Sequence, residues 1–290
     1  MGNFQFLTLV MHLACTETRV LLDDYKDEDD IKRIEFKNED EKSKLENKQK
    51  RIQEILPICF EIIEFMISIL VQYSEYDNEE SIIKDNVIYN TLKNNNINSK
   101  WILSFREALS ETILALMEFI TEKEIYKDTQ NIKKIDNMIV LLSTKVLSSW
   151  LSEDIEMYKK EIKFVIPALI EIVKIRPKSI DFMPINNISL VFSEITSNEE
   201  YQEIFINEGG IKTLLFFMDN NNITLNDITV LNILITLINI VMLNPDHIKS
   251  NKTQWKKIIK YYNKYSYTKV IGLSVIRLIN SECNTKEEKQ

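Results

Sequence analysis

The stretch FINEGGIKTLLFFM, residues 205–218, holds two of the chain's four glycines and runs straight into the pair Lys212-Thr213. Glycines ahead of a Lys-Thr pair can open a phosphate loop, in which backbone amides at a helix N-terminus cradle an anion. That chemistry needs a G-x-x-x-x-G frame and a buried strand leading into it. Here Lys212 follows Gly210 by only two positions, and the preceding residues 198–206 (NEEYQEIFI) read as an amphipathic helix. A corner between two helices explains every residue instead. One helix ends near Asn207, Gly209 or Gly210 takes a left-handed conformation, and a new helix buries Ile211, Leu214, Leu215 and Met218.

The other residues able to do chemistry are sparse. His12 and His247 are the only histidines, one on an apolar helix and one after a proline turn, and neither belongs to a recognisable metal-ligand motif. Cys15, Cys59 and Cys283 are odd in number and far apart, which suits neither a disulfide framework nor a metal pair and fits a reducing compartment. The best carboxylate groupings, Glu111 with Glu118 and Glu153 with Asp154 and Glu156, fall on helix faces or caps rather than in a desolvated cleft. Nothing supplies a nucleophile elbow or oxyanion loop. The chain is therefore expected to be non-catalytic, with no cofactor and no metal.

One cluster invites a binding role. Residues 247–270 contain seven lysines and no acid. If 251–269 is helical, Trp255, Ile258, Ile259 and Tyr262 form an apolar stripe, with Lys256, Lys257, Lys260 and Lys264 on the other side. Trp255, Lys256, Lys257, Lys260 and Lys264 are the candidate contacts for an acidic partner or an anionic membrane surface, set against the plain alternative of a last helix with a soluble face. Nucleic acid is not expected, because a net charge of −8 lacks the basic excess that phosphate neutralisation demands.

These residues must be positioned by helices. Four glycines and five prolines in 290 residues leave few tight turns, and a hydrophobic content of 44% can bury a substantial core. Periods of three and four recur, as in Ile102, Phe105, Leu109, Ile113, Leu116, Met117 and Ile120. The spacing predicts helices over about 4–24, 48–75, 81–94, 98–123, 129–152, 154–176, 184–197, 199–207, 210–219, 225–243, 251–263 and 268–282. Residues 25–47 are expected to be an acidic flexible loop and 284–290 a disordered tail, within one helical-repeat domain over 1–290. Residues 54–64 (EILPICFEIIE) and 164–174 (FVIPALIEIVK) echo each other around a proline inside an apolar helix. No apolar run is long enough to span a bilayer and 4–15 lacks a basic leader, so a cytoplasmic location is expected. The fold class is all-α, an armadillo/HEAT-like right-handed α-solenoid of stacked helix pairs.

Three stretches resemble the neurochondrin family. They are residues 6–24 (FLTLVMHLACTETRVLLDD), 146–154 (VLSSWLSED) with the continuation through Pro167, and 190–215, where Glu194, Ile204, Ile206, Glu208 and Gly209 match the family's pattern. The likeness covers most of 4–245. It implies an armadillo-like superhelix that acts as a scaffold or adaptor for protein partners, linked in animals to neurite outgrowth and signalling. It also implies that this chain corresponds to a C-terminal portion or a shortened relative. The Asn-rich character, the lysine-tyrosine tail and the insert at 25–47 depart from the family. Beside the scaffold reading stand a peripheral membrane adaptor using 251–269 and, more remotely, a helical enzyme. The apolar helix over 4–22 has no neighbour before it in the chain and is expected to form an exposed end that a partner could complete.

Overall fold

A computed structural model describes residues 2–25, 31, 34–36, 38–77, 99–122, 138–175, 183–219, 225–244 and 255. The helices described are α1 (Gly2–Asp24), α2 (Glu39–Asp77), α3 (Ser99–Glu122), α4 (Met138–Leu151), α5 (Ile162–Val173), α6 (Pro184–Ser197), α7 (Glu199–Asn207), α8 (Gly210–Asp219) and α9 (Asp227–Leu243). No strand occurs among the described residues. The chain packs as two compact units, Met1–Glu153 and Asp154–Gln290.

In the first unit α1 lies on α2 and α3, and both of these pack on α4. The expected stripe on α3 is the buried one: Phe105, Leu109, Ile113, Leu116, Met117 and Ile120 are all buried. α2 differs from expectation at its start. It begins at Glu39, so residues 39–47, expected within the flexible loop, are helical. The reason is local. Glu41 N–H donates to Asn38 Oδ1 at 2.9 Å, Glu39, Asp40 and Glu41 face the positive end of the helix dipole, and Lys42 and Glu46 stand one turn apart. Pro57 sits inside α2 and costs it one amide donor without ending it.

In the second unit α6 packs along α9, while α7 contacts α5, α6 and α8. The single helix expected over 154–176 is broken. Ile155–Tyr158 forms one 3-10 turn, and α5 starts only at Ile162. The interrupted backbone is partly satisfied by Tyr201, whose hydroxyl donates to the Lys159 carbonyl at 3.4 Å. Pro167 then lies in the second turn of α5. Asn198 closes α6 and opens α7, its Oδ1 accepting from Glu200 N–H at 3.0 Å and Tyr201 N–H at 3.4 Å. Asn226 likewise caps the start of α9, accepting from Thr229 N–H at 2.7 Å.

The helices expected over 81–94 and 268–282, the part of 129–152 before Met138, and the tail 284–290 lie outside the described residues. So does 251–263, apart from a helical Trp255.

Candidate interaction surface

The Gly-Gly corner adopts the geometry expected of a turn. Gly209 has φ +81°, the left-handed region that L side chains rarely enter, and Gly210 begins α8. The amides of Glu208 and Gly209 close α7, and that of Thr213 opens the hydrogen-bonding of α8. Glu208 N–H donates to the Ile204 carbonyl and Gly209 N–H to the Ile206 carbonyl, each at 3.0 Å, while Thr213 N–H reaches the Gly209 carbonyl. Ile211, Leu214, Leu215 and Met218 are buried as anticipated.

A second polar feature of this unit is internal. Four positions on α6, spaced three and four apart, and three on α9, spaced three and seven apart, meet along their length. Thr229 donates to Asn186 Oδ1 at 2.9 Å and Asn232 Nδ2 to Ser189 Oγ at 3.3 Å. Asn239 Nδ2 bonds the Ser193 carbonyl at 2.8 Å and Thr196 Oγ1 at 3.4 Å, and Gln202 Nε2 bonds the carbonyls of Thr196 and Asn239. Such a satisfied buried seam sets the register of two helices.

The thiols of the first unit are structural. Burial pushes the Cys15 thiol above its ordinary value, opposed by a hydrogen bond from Thr112 and by the Arg19 charge. Burial raises Cys59 in the same way, reinforced by Glu17 and opposed by Thr18. Both are neutral at physiological pH and poor nucleophiles. Among the described residues no group of three His, Cys, Asp or Glu side chains could hold a metal ion.

What the first unit does present is a face. α1 buries Met11, Ala14, Cys15, Thr18, Leu21 and Leu22 against α2 and α3. On its opposite side Phe6, Leu9, Leu13 and Val20 are 64%, 66%, 64% and 51% exposed. With exposed Thr16 and Asp23 they follow steps of 3, 4, 3, 4 and 3, the spacing of a coiled-coil seam. Ion pairs flank this stripe. Glu17 meets Arg51 at 2.8 Å and Asp24 meets Lys48 at 2.6 Å on the α2 side. Arg19 pairs with Glu111, and His12 Nε2 lies 3.2 Å from Ser104 Oγ, on the α3 side. α1 therefore runs antiparallel to α2 and parallel to α3. Ile58 and Phe65, one heptad apart on α2, add exposed apolar area along the same rim as Arg51.

The other candidates fall elsewhere. Trp255 is fully buried, with 0% of its surface exposed, and Trp150 is also buried, so both pack rather than present an aromatic face. Lys256, Lys257, Lys260, Lys264 and His247 lie outside the described residues. Glu111 is engaged with Arg19, and Glu156 with Lys159.

The Neurochondrin family model matches residues 1–236. The chain belongs to the neurochondrin family. No curated protein and no solved structure matches it. The matched span runs from α1 into α9, so the exposed heptad face and the glycine corner lie within the neurochondrin region. Residues 251–269 lie beyond it. The first stretch of likeness, 6–24, is α1 itself, and the third, 190–215, runs from α6 through the corner into α8. No helix among the described residues is long and apolar enough to cross a membrane.

The outer stripe of α1 was legible only in part. Its apolar content was plain from sequence, but which of two apolar faces turns outward depends on where α2 and α3 dock. The seam between α6 and α9 left a readable signal in polar residues at 186, 189, 193 and 196 and at 229, 232 and 239.

Proposed function

We propose that this chain is a non-catalytic scaffold or adaptor that docks protein partners in the cytoplasm, with its helix pairs arranged as an armadillo-like solenoid. The observation that carries this reading is the exposed stripe of Phe6, Leu9, Leu13 and Val20 on α1. An apolar ridge at heptad spacing, ringed by ion pairs, is suited to a partner helix rather than to a small molecule. Membership of the neurochondrin family supports it. The turn that separates short α7 from α8 at Gly209 supports the repeat arrangement, since a left-handed glycine between helices is how such repeats change direction.

The test compares proteins retained by the immobilised full chain with those retained by the Leu9→Glu/Leu13→Glu variant. Both residues are exposed, so the variant should keep its helix content by circular dichroism. A set of proteins lost specifically with the variant is the expected result. Identical retained sets would refute docking on this face.

A further inference from the structure

We propose that the outer face of α1 pairs with the same face of a second copy of this chain, about a two-fold axis parallel to α1. The inference rests on the reading of this face as a protein-docking surface and names its occupant. Three observations lead to it.

The first is the heptad. Phe6, Leu9, Leu13 and Val20, with exposed Thr16 between the last two, repeat at three and four residues. An α-helix has 3.6 residues per turn, so a stripe held at 3.5 calls for a helix crossing at a small angle rather than a flat surface. A second α1 in parallel register places each of these side chains against its own counterpart, so the apolar N-terminal half meets the apolar N-terminal half, and the like-charge contact of this register is confined to exposed Asp23 at the far end of the stripe.

The second is the sign of the flanks. In each of three ion pairs along the stripe, the member contributed by the neighbouring helix is the more exposed one. On the α2 flank Arg51 is 66% exposed against 28% for Glu17, and Lys48 is 50% exposed against 35% for Asp24. On the α3 flank Glu111 is 62% exposed against 34% for Arg19. The outermost charge beside the C-terminal half of α1 is thus positive on α2, at Lys48 and Arg51, and negative on α3, where exposed Glu118 continues the row from Glu111, while exposed Glu61 of α2 lies further along, beyond these contacts. Lys50 and Glu54 stand 4.0 Å apart and offset each other.

The third is height. Arg51 is level with Glu17 and Glu111 with Arg19, two residues or about 3 Å apart along α1. Lys48 is level with Asp24, and Glu118 lies two turns beyond Glu111. A two-fold axis along α1 keeps heights and exchanges flanks. It sets Arg51 of each copy against Glu111 of the other, and Lys48 against Glu118. A two-fold axis across α1 would instead set the Arg51 flank against itself and the Glu111 flank against itself, which costs like-charge repulsion.

The experiment is sedimentation equilibrium of the full chain over a concentration series, in low and high salt. The wild-type mass should move from 34.2 kDa toward twice that value with rising concentration, less readily in high salt. Leu9→Glu/Leu13→Glu should stay monomeric with unchanged helix content. Arg51→Glu and Glu111→Arg should each weaken self-association by about tenfold or more. Mixed one to one, they should restore it, because the mixed pair recovers both opposite-charge contacts while each variant alone has neither. A wild-type chain that stays monomeric at all concentrations overturns the proposal. So does a dimer indifferent to Leu9→Glu/Leu13→Glu, or a mixture that associates no better than its two components. If the chain is monomeric while Leu9→Glu/Leu13→Glu still loses a specific set of retained proteins, the second copy is refuted and the docking face stands. If that set is also unchanged, both fall.

Discussion

Gly210 offers a sharp test of how the corner at 205–218 is built, because two effects of known sign compete there. On helix propensity alone Gly210→Ala should stabilise α8 by up to about 1 kcal/mol. The space is the obstacle. A Cβ on Gly210 would stand 2.4 Å from Cε1 and Cζ of Phe205, roughly an ångström inside normal contact. Phe205 cannot easily withdraw, since it is fully buried and its ring packs edge-on against Phe192 with centroids 5.0 Å apart. Overpacking of a core costs about 1–3 kcal/mol, and an overlap with a trapped ring belongs at the upper end. The steric effect wins, and Gly210→Ala should destabilise by about 1–2 kcal/mol net. Gly209 differs, because nothing lies within 4 Å of its Cβ position and only the left-handed backbone penalises a side chain. Gly209→Ala should cost about 1 kcal/mol, the left-handed penalty less the entropy removed from the unfolded chain. Urea unfolding of the full chain by circular dichroism, with Phe205→Leu as a second background, separates the two causes. Removing the ring should recover about 1 kcal/mol or more of the Gly210→Ala cost and none of the Gly209→Ala cost. An unchanged Gly210→Ala penalty in the Phe205→Leu background, or a Gly210→Ala protein more stable than wild type, would show that the ring is not what requires glycine.

Two further outcomes follow from the packing. Asn239→Leu strips the donor from the Ser193 carbonyl and from Thr196 Oγ1 in the seam between α6 and α9, and should cost about 1–3 kcal/mol in the same assay; a change below about 0.5 kcal/mol would mean that water or a neighbour replaces the amide. The Cys15 and Cys59 thiols have folded values raised by burial, so the unfolded chain loses its thiol protons first as pH rises. Their contribution is complete below the unfolded thiol value of about 8.5 and declines as pH climbs past it, so Cys15→Ala/Cys59→Ala should flatten the fall in stability on the alkaline side, and an unchanged slope would count against buried neutral thiols.

Local signals carried much of the helix pattern. α6, α7 and α8 could be bounded from sequence because Pro184, Asn198 and the Gly-Gly pair mark their ends by conformations that depend on one or two residues. The early start of α2 escaped because its first turns are almost wholly charged. Such a segment looks solvated by composition, yet its Asn38 cap and acidic first turn hold it helical. The break before α5 escaped for the opposite reason. Residues 155–173 keep a helical period throughout, and the turn between Tyr158 and Ile162 is compensated from outside by Tyr201 on α7.

By itself the sequence determined that the described elements are helices, that 205–218 is a corner and not a phosphate loop, and that the chain belongs with the neurochondrins. These follow from periodicity, glycine conformation and family pattern, all of which act over short stretches of chain. Only the tertiary structure decided which side of α1 faces outward, that Arg51 and Glu111 flank it at one height with opposite sign, and that α6 and α9 join through a satisfied polar seam. The physical reason is that burial and pairing are properties of neighbours. α1 carries apolar residues on both its inner and outer sides, and it is the docking of α2 and α3, far away in sequence, that covers one and leaves the other in water.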